Sequence, residues 1–167
     1  HLLSSFRFFP CVPCLIQGIP SVRSPFLPST NILPLPPRHY PLQFHNPGAQ
    51  KQAEASECAN ELGGNEAFWT YADAIYERTT SNGNGFPIEN LVPLAEEIGL
   101  DAAQFEECLN SGRYAERVQE DLQEGSNSGV TGTPGTIILN NETGEVRLVS
   151  GAMPAEQLQA KVNELLP

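Results

Sequence analysis

The sequence lacks two features that would assign it to common classes of protein. It has no uninterrupted apolar run of the roughly 18 residues that a transmembrane helix needs, so it predicts no membrane span. It is also poor in basic residues: nine Lys and Arg stand against twenty Asp and Glu, for a net charge of −11. Nucleic acids and anionic membrane surfaces would repel such a chain, so neither is expected as a partner. The 167 residues allow one domain, or one domain with an inserted module.

Acidic residues are missing from the first 53 residues, since all twenty lie between Glu54 and Glu164. The first 37 residues also lack alanine and lysine and hold eight of the fifteen prolines. Three interpretations are open: a signal or anchor segment, which the prolines disfavour because they cut the apolar stretch into short pieces; a Pro-rich extended linker; or a segment outside the native reading frame. We therefore expect an aberrant or Pro-rich segment at 1–37 and a domain at 38–167. Because the chain begins with His1 and not with Met, we also expect a fragment or a processed product.

Helical periodicity begins at Asn46 and predicts five helices. Breaks between them are predicted at Gly63-Gly64, in the polar loop 81–85, at Gly99 and at Ser111-Gly112. The outward side of the fifth helix, from Arg113 to Glu124, is predicted to be a solvated face. The predicted inward residues of the five helices are, in order, Ala55, Cys58, Ala59 and Leu62; Phe68, Ala72, Ile75 and Tyr76; Leu91, Leu94, Ala95 and Ile98; Phe105, Cys108 and Leu109; and Ala115, Val118 and Leu122.

After Gly129 the periodicity changes to that of strands. Residues 136–139 form a short β-branched apolar run, residues 140–145 are typical of a hairpin connection, and residues 146–149 alternate like a half-buried strand. Pro154 stands near the start of a closing helix whose inward residues would be Leu158, Val162 and Leu165. The predicted order is five helices, a hairpin and a helix, with a further strand expected upstream within the first 37 residues.

The tripeptide Gly132-Thr133-Pro134 directly precedes the first strand of the hairpin. A proline is tolerated at that place because it cannot donate to the strand ladder. A Thr133–Pro134 bond there can be cis, which turns the chain sharply and leaves the preceding backbone open for pairing. Taken alone, the tripeptide favours an ordinary turn proline.

Several motifs together resemble the DsbA-like branch of the thioredoxin superfamily, in the family's order and over the span from Arg38 to Pro167. The resemblance implies an α/β thioredoxin-like fold with a helical insertion at about 47–125, and it implies that Thr133 and Pro134 hold substrate backbone. The motifs are Arg-His-Tyr-Pro-Leu at 38–42, Phe-His-Asn at 44–46, Ala-Glu-Ala-Ser-Glu-Cys-Ala at 53–59, Phe-Trp at 68–69, Phe-Glu-Glu-Cys-Leu at 105–109, Gly-Val-Thr-Gly-Thr-Pro at 129–134 and Ser-Gly-Ala-Met-Pro at 150–154.

The family also needs a Cys-x-x-Cys at a strand-to-helix junction, where the helix N-terminus stabilises the first thiolate and the second cysteine resolves the mixed disulfide. Cys11 and Cys14 have this spacing, so Cys11 is the expected nucleophile and Cys14 its partner. Their surroundings depart from the family, because Pro20 follows soon after and an interior proline destabilises a helix by about 3 kcal/mol. Two cysteines placed by chance in a shifted frame are therefore the competing interpretation, in which the first strand and helix would be disrupted.

Cys58 and Cys108 form a second pair, on the predicted inward faces of two helices. A structural disulfide, which an oxidising compartment permits, is favoured over two buried free thiols. Zinc is not expected, because the chain has a single Cys-x-x-Cys and because His39 and His45 lack ligand spacing. The two histidines are interpreted as structural groups, with tuning of the dithiol as the alternative. We expect no metal and no organic cofactor.

The resemblance and the motifs together predict a bacterial thiol–disulfide oxidoreductase that acts on cysteine-containing proteins and has a redox partner protein. Its extracytoplasmic location, in the periplasm or at the exterior of the cell envelope, follows from the resemblance alone, because no signal or anchor is visible. Two alternatives remain: a non-catalytic thioredoxin-fold module that binds peptides, and an inactive product of a damaged reading frame.

Overall fold

The computed structural model describes residues 38–79, 86–140 and 142–165, together with the backbone of two strands, Ser4–Phe9 and Ile32–Pro34. Short 3-10 helices at Gln43–His45 and Ile88–Asn90 precede the first and second α-helices. The order confirms the predicted run of helices followed by a hairpin and a closing helix. In chain order the elements are β1 (Ser4–Phe9), β2 (Ile32–Pro34), α1 (Gly48–Arg78), α2 (Leu91–Glu97), α3 (Ala102–Ser111), α4 (Ala115–Asn127), β3 (Gly135–Asn140), β4 (Val146–Ser150) and α5 (Ala155–Asn163).

The four strands form one sheet in the order β2-β1-β3-β4. β1 runs parallel to β2 and antiparallel to β3, and β4 runs antiparallel to β3. The register pairs Ser4 with Asn140 and Phe9 with Gly135, so β1 lies along the whole length of β3. The strand expected upstream of the helices is therefore β1. The expected disruption of a helix after it, by Pro20 and the prolines that follow, falls on residues outside the described ones.

The helix α1 is interrupted at Gly64, whose φ of 71° and ψ of −167° are not helical. Glycine adopts such a conformation readily because it has no Cβ to clash with the backbone. The segment therefore consists of two helical halves that meet at Gly64, as the Gly63-Gly64 break in the sequence predicted.

Local chemistry sets the ends of the next helices. The Asp101 carboxylate caps α3 by accepting a hydrogen bond from the Gln104 N–H at 2.9 Å, and Gly112 ends α3 in the left-handed conformation with φ of 63°. The third predicted helix differs at its start. It begins as the 3-10 turn at Ile88–Asn90 and becomes α-helical only from Leu91. Such 3-10 turns are frequent at the starts of α-helices.

The structure has two main apolar cores. One is built by helices that precede α4 in the sequence, and the other by elements that follow it. The larger one packs α1, α2 and α3 together around the fully buried Tyr71, Ile75 and Phe105. Most of the predicted inward residues are part of it, whereas Leu62, Tyr76 and Ile98 are only partly buried. Within the ranges described, no helix combines the length and the apolar character that crossing a bilayer would need.

The second core lies between the sheet and α5, and its members confirm the predicted inward face of that helix. A third, smaller cluster joins the segment after β2 to the loop before β3. The buried residues of the second core are Ile138, Val149, Val162 and Leu165, and those of the third cluster are Tyr40 and Val130.

Candidate functional site

The loop from Val130 to Pro134 is fixed at its first residue. The Tyr40 hydroxyl donates a hydrogen bond to the Val130 carbonyl at 2.6 Å, and both side chains are buried. A Cβ placed on Gly135 would lie 2.8 Å from Cγ1 of Val130, so a larger residue at position 135 would displace Val130. The loop therefore enters β3 with Val130 held between Tyr40 and the start of the strand.

Thr133 and Pro134 stand directly before β3 and are joined by a cis peptide bond. The Pro134 carbonyl accepts a hydrogen bond from the Gly151 N–H at 2.8 Å, which ties the loop to the end of β4. The Thr133 hydroxyl is buried and has no hydrogen-bond partner among the residues that the structure describes. An unpaired buried hydroxyl is unfavourable by about 1–3 kcal/mol, so this oxygen would gain from a polar group of a ligand.

The sheet register brings the end of β1 to the same loop. Phe9 is the last residue of β1, and it pairs with Gly135, the residue after Pro134. Because β1 and β2 are parallel, the segment that follows β2 leaves from the same edge of the sheet. The expected nucleophile Cys11 and its partner Cys14 come next after β1 in the sequence, but both lie outside the described residues.

A buried ionic cluster joins the segment after β2 to α4. Asp121 is fully buried, and its carboxylate accepts hydrogen bonds from Nη1 of Arg38 at 2.7 Å and from the backbone N–H of His39 at 3.0 Å. Nε of Arg117 lies 3.7 Å from the same carboxylate. A buried carboxylate is tolerated only with such partners, because its loss of hydration is otherwise unfavourable by several kcal/mol.

The imidazole of His39 is also buried, and its Nε2 lies 2.9 Å from Oε1 of Glu57 in α1. Burial raises the pKa of the Glu57 carboxyl, but the hydrogen bond with His39 and the electrostatic influence of His39 and Arg117 outweigh it, so the pKa lies below its ordinary value. Glu57 is therefore ionised at neutral pH. His45 is only half-buried, and its ring lies against Phe44 with the ring centroids 4.2 Å apart.

Sequence reasoning missed both Glu57 and Asp121. The prediction of a solvated face from Arg113 to Glu124 is wrong at Asp121, because this carboxylate turns inward to Arg38 and to the backbone of the segment after β2. The signal was in the spacing: Asp121 follows the buried Val118 by three residues, and Glu57 follows the buried Ala53 by four, so each lies on the inward face of its helix.

Cys58 of α1 and Cys108 of α3 are bonded to each other, with their Cα atoms 5.9 Å apart. Of the two arrangements that the sequence left open, the structure has the disulfide, and both residues are buried in the helical core. The bond joins residues 50 apart in sequence, which in the chain-entropy model corresponds to a stabilisation of about 4 kcal/mol. Among the described residues, no three His, Cys, Asp or Glu side chains are grouped so that they could hold a metal ion.

The sheet order, with the helices between β2 and β3 and a Thr-Pro loop beside the end of β1, defines a domain of the thioredoxin class. The chain belongs to the family of DSBA-like thioredoxin domains, whose family model matches residues 37–163. This match confirms the resemblance that the motifs from Arg38 onward indicated.

A solved structure of DsbA2 from Pseudomonas aeruginosa is similar to this chain throughout. The TM-score is 0.76 at 26% sequence identity, and the superposition covers 97% of this chain and 88% of that one. The similarity confirms the predicted α/β thioredoxin-like fold.

Two curated relatives carry the name of an ion antiporter. Na(+)/H(+) antiporter NhaA 1 of Salinispora arenicola is 36% identical over 154 residues, which are 92% of this chain and 21% of the relative. Na(+)/H(+) antiporter NhaA 3 of Salinispora tropica is 34% identical over 132 residues, 79% of this chain and 19% of the relative. The chain thus spans about a fifth of the length of these relatives.

Proposed function

We propose that this chain catalyses dithiol–disulfide exchange with cysteine-containing proteins outside the cytoplasm. The observation that carries the proposal is the pairing of Phe9 with Gly135 at the end of β1. Cys11 follows Phe9 by two residues, so covalent geometry keeps its Cα within about 7 Å of the Phe9 Cα. A dithiol formed by Cys11 and Cys14 would therefore begin beside the Thr133–Pro134 loop.

In the proposed reaction a substrate thiolate attacks Sγ of Cys11 in the enzyme disulfide. A substrate–Cys11 disulfide forms, the Cys11–Cys14 bond breaks, and Cys14 leaves as a thiolate that takes up a proton. A second substrate thiolate then attacks the substrate sulfur of the mixed disulfide and releases Cys11 as a thiolate. The substrate is oxidised from two thiols to a disulfide, and the enzyme is reduced to the dithiol.

Thr133 and Pro134 would hold the substrate backbone while the mixed disulfide exists. The loop suits this role because Val130 and Pro134 are fixed by hydrogen bonds to Tyr40 and Gly151. The Thr133 hydroxyl has no partner among the described residues, so a substrate group could satisfy it. A prepared loop of this kind lowers the entropy that is lost when the substrate is positioned.

The proposed location outside the cytoplasm rests on family membership and on the Cys58–Cys108 disulfide. Disulfides persist in oxidising compartments and are rare in the cytosol. A redox partner protein belongs to the proposal as well, because each exchange leaves Cys11 and Cys14 in the opposite oxidation state and the pair must be restored.

The antiporter names belong to relatives of which this chain matches about a fifth. We assign the matched part to thiol–disulfide exchange and not to ion transport. Its family is that of DSBA-like thioredoxin domains.

The comparison with the first relative also bears on residues 1–37. Its aligned stretch of 154 residues is longer than the 130 residues that follow Pro37, so it includes at least 24 of the first 37. Two strands of the sheet also lie within this segment. Both observations favour a native origin for residues 1–37, which we propose as part of the same domain as 38–167, with the helical insertion at about 47–125.

The proposal is tested by incubating the purified, oxidised 167-residue chain with a reduced dithiol test protein, followed by thiol trapping. We expect the wild-type chain to oxidise the test protein and Cys11→Ser to have no activity. Cys14→Ser is expected to accumulate a mixed disulfide at Cys11. The matched control is the double variant Cys58→Ala and Cys108→Ala, which removes the other disulfide and should retain exchange in its folded fraction.

The contrary outcomes are distinct. A folded chain that binds an extended peptide but exchanges no disulfide would replace the proposal with a non-catalytic peptide-binding module. A chain that does not fold would support a damaged reading frame. Exchange that depends on Cys58 and Cys108, and not on Cys11, would move the site into the helical core.

A further inference from the structure

The outer edge of β4 has no neighbouring strand among the residues that the structure describes. β4 is the last strand in the sheet order, and β3 pairs with it on one side. The strand contains no proline, and its side chains Val146 and Leu148 are 51% and 37% exposed. An unpaired edge with exposed apolar side chains is a template for pairing with another strand. The outer edge of β4 therefore offers its backbone groups to a further strand.

The hydrogen bonds of the hairpin show which residues of β4 face this edge. The Asn140 N–H donates to the Glu145 carbonyl at 2.9 Å, and the β3–β4 register continues from this pair. In an antiparallel ladder, residues that bond to the neighbouring strand alternate with residues that do not. Every second residue from Glu145 onward therefore bonds to β3, and the backbone groups of the residues between them point to the free edge. These outward residues are Val146, Leu148 and Ser150.

Two opposite charges lie two residues apart on the same segment. Nη2 of Arg147 lies 2.7 Å from Oε1 of Glu145, and both side chains are about half exposed. Nη1 of Arg147 also lies 3.4 Å from the carbonyl oxygen of Val146, which points to the free edge. The guanidinium group is therefore close to the place that a further strand would occupy.

A second copy of the chain fits this pattern about a two-fold axis at Val146. An antiparallel pair of β4 strands with Val146 on the axis sets Arg147 of each copy opposite Glu145 of the other. The two Val146 residues then exchange both backbone hydrogen bonds. The charged pairs occupy the adjoining positions without hydrogen bonds, where facing side chains are closest. Leu148 lies opposite Gly144, which has no side chain to obstruct the approach.

Other registers of the same strand pair lack this complementarity. An axis at Arg147 or at Glu145 sets two like charges directly opposite each other, which is destabilising. An axis at Leu148 sets Arg147 opposite Val149 and leaves both charges without an opposite charge across the strands. Of these registers, the axis at Val146 is the one that pairs both charges.

Most of the negative charge that would repel a second copy belongs to the helical region. Sixteen of the twenty acidic residues lie between Glu54 and Glu124. Residues 135–165, which form the hairpin and α5, contain four acidic and two basic residues. The hairpin that would pair therefore carries little of the net charge of −11.

We propose that two copies of this chain associate through β4, with Val146 on the two-fold axis and Glu145 of each copy paired with Arg147 of the other. The pairing joins two four-stranded sheets into one continuous sheet of eight strands. The contact is a single short strand, so the dimer is weak and forms in a concentration-dependent way. The inference is independent of the proposed thiol–disulfide exchange, because it uses no group of that site.

Sedimentation equilibrium of the 167-residue chain over a series of concentrations measures the association. We expect the wild-type chain to form a dimer that weakens as the salt concentration rises. Glu145→Arg and Arg147→Glu should each lower the association constant by about 30-fold, because two attractive pairs become two like-charge pairs. The double variant with both substitutions should restore the dimer, because opposite charges then face each other again.

The matched controls are Glu164→Arg and Lys161→Glu, an exposed pair on and just after α5, and they change the net charge of the chain by the same amounts. Both controls should leave the association constant unchanged. A thermal melt followed by circular dichroism checks that each variant is folded. A wild-type chain that is monomeric at every concentration, or a dimer that Arg147→Glu leaves unchanged, would overturn the inference.

A second measurement reads the register in the wild-type protein. Amide hydrogen exchange is compared at low and at high protein concentration. We expect the Val146 N–H to become protected at high concentration and the Ser150 N–H to stay unprotected, because Ser150 lies beyond the segment that pairs. Equal protection of the two amides would place the axis at Leu148 and contradict the charge pairing. Protection of Val146 that appears only when an extended peptide is added to a monomeric chain would assign the edge to a different strand, and the inference would be wrong.

Discussion

The helical region from Gly48 to Asn127 and the sheet with α5 are stabilised in different ways. The helical region has a core of twelve buried residues and a disulfide between two of its helices, whereas four buried residues form the core between the sheet and α5 among the side chains that the structure describes. The candidate site lies on the sheet side, at the loop before β3. Functional loops are commonly found in the less stable part of a fold, and the rigid helical region serves here as the support.

The two regions meet at the segment that follows β2. Asp121 of α4 and Glu57 of α1 both reach from the helical region to this segment, through Arg38 and His39. Tyr40, the next residue, is bonded to Val130 before β3. A few buried polar contacts therefore connect the stable helical region to the less stable region of the site. Each of the predictions below removes a group from one of the two regions or from the contacts between them.

The largest effect is expected from removal of the disulfide in the double variant Cys58→Ala and Cys108→Ala. The free energy of unfolding should fall by about 4 kcal/mol, because the unfolded chain regains the entropy of a closed loop. Denaturant unfolding measures the loss, and wild-type protein unfolded with a reductant is the control, which should match the variant. A loss below about 1 kcal/mol would show that the helical region does not depend on the bond for its stability.

The next effect is expected at the junction, from Asp121→Ala. The variant leaves Arg38 partly buried without its carboxylate partner and leaves the His39 N–H without an acceptor, so we expect a loss of about 3 kcal/mol in the free energy of unfolding. Glu120→Ala is the matched control, because Glu120 is its exposed neighbour on α4 and should change stability by less than about 0.5 kcal/mol. Equal effects of the two substitutions would mean that the ionic cluster does not join the two regions.

Much of the fold could be predicted because its signals are local. The break at Gly64, the end of α3 at Gly112 and the hairpin after Gly129 each depend on residue types within a few positions. The Cys58–Cys108 pairing could be favoured but not decided, since it requires the two Cα atoms to lie 5.9 Å apart, and that distance depends on how α1 packs on α3.

The site was predictable only in part for the same reason. Thr133 and Pro134 could be singled out because a proline directly before a strand is a local pattern. The role of Asp121 could not, because its partners lie 82 and 83 residues away and a carboxylate on an amphipathic helix is typical of a solvated face. Cys11 and Cys14 stay a prediction, since they lie outside the described residues.

A smaller effect is expected on the sheet side from Ile138→Ala. Ile138 is fully buried between the sheet and α5, and its truncation should lower the free energy of unfolding by about 2 kcal/mol. We expect the lower end of the usual range because Met153 and Leu158, which pack against this core, are only half-buried and are therefore less constrained than its fully buried members. The matched control is Leu148→Ala on β4, since this side chain is already 37% exposed. Hydrogen exchange should show the added opening in β3 and not in α1. If α1 opens equally, the two regions unfold as one unit.

The smallest effect is expected in the pH dependence, from Glu57→Gln. In the folded state the pKa of Glu57 lies below its ordinary value of 4.5. Burial raises this pKa, but the hydrogen bond with His39 and the electrostatic influence of Arg117 oppose burial, and the net shift is downward. A carboxyl with a lowered pKa contributes stability that is fully present above its unfolded pKa and is lost as the pH falls through its folded pKa. The stability difference between wild type and Glu57→Gln should therefore be constant from neutral pH down to the ordinary carboxyl range and shrink below it.

Urea unfolding at a series of pH values from 7 down to 3 measures that difference. Glu66→Gln is the matched control, because Glu66 is an exposed carboxyl in the second half of α1, and its difference from wild type should stay flat. The Glu57→Gln difference is then measured again in the Asp121→Ala variant, to find whether the two carboxylates act independently. If the Glu57 contribution persists when Asp121 is removed, the two carboxylates hold His39 independently. If it disappears, the ring of His39 is held only while Asp121 fixes its backbone, and the helical region supports the site through one coupled cluster.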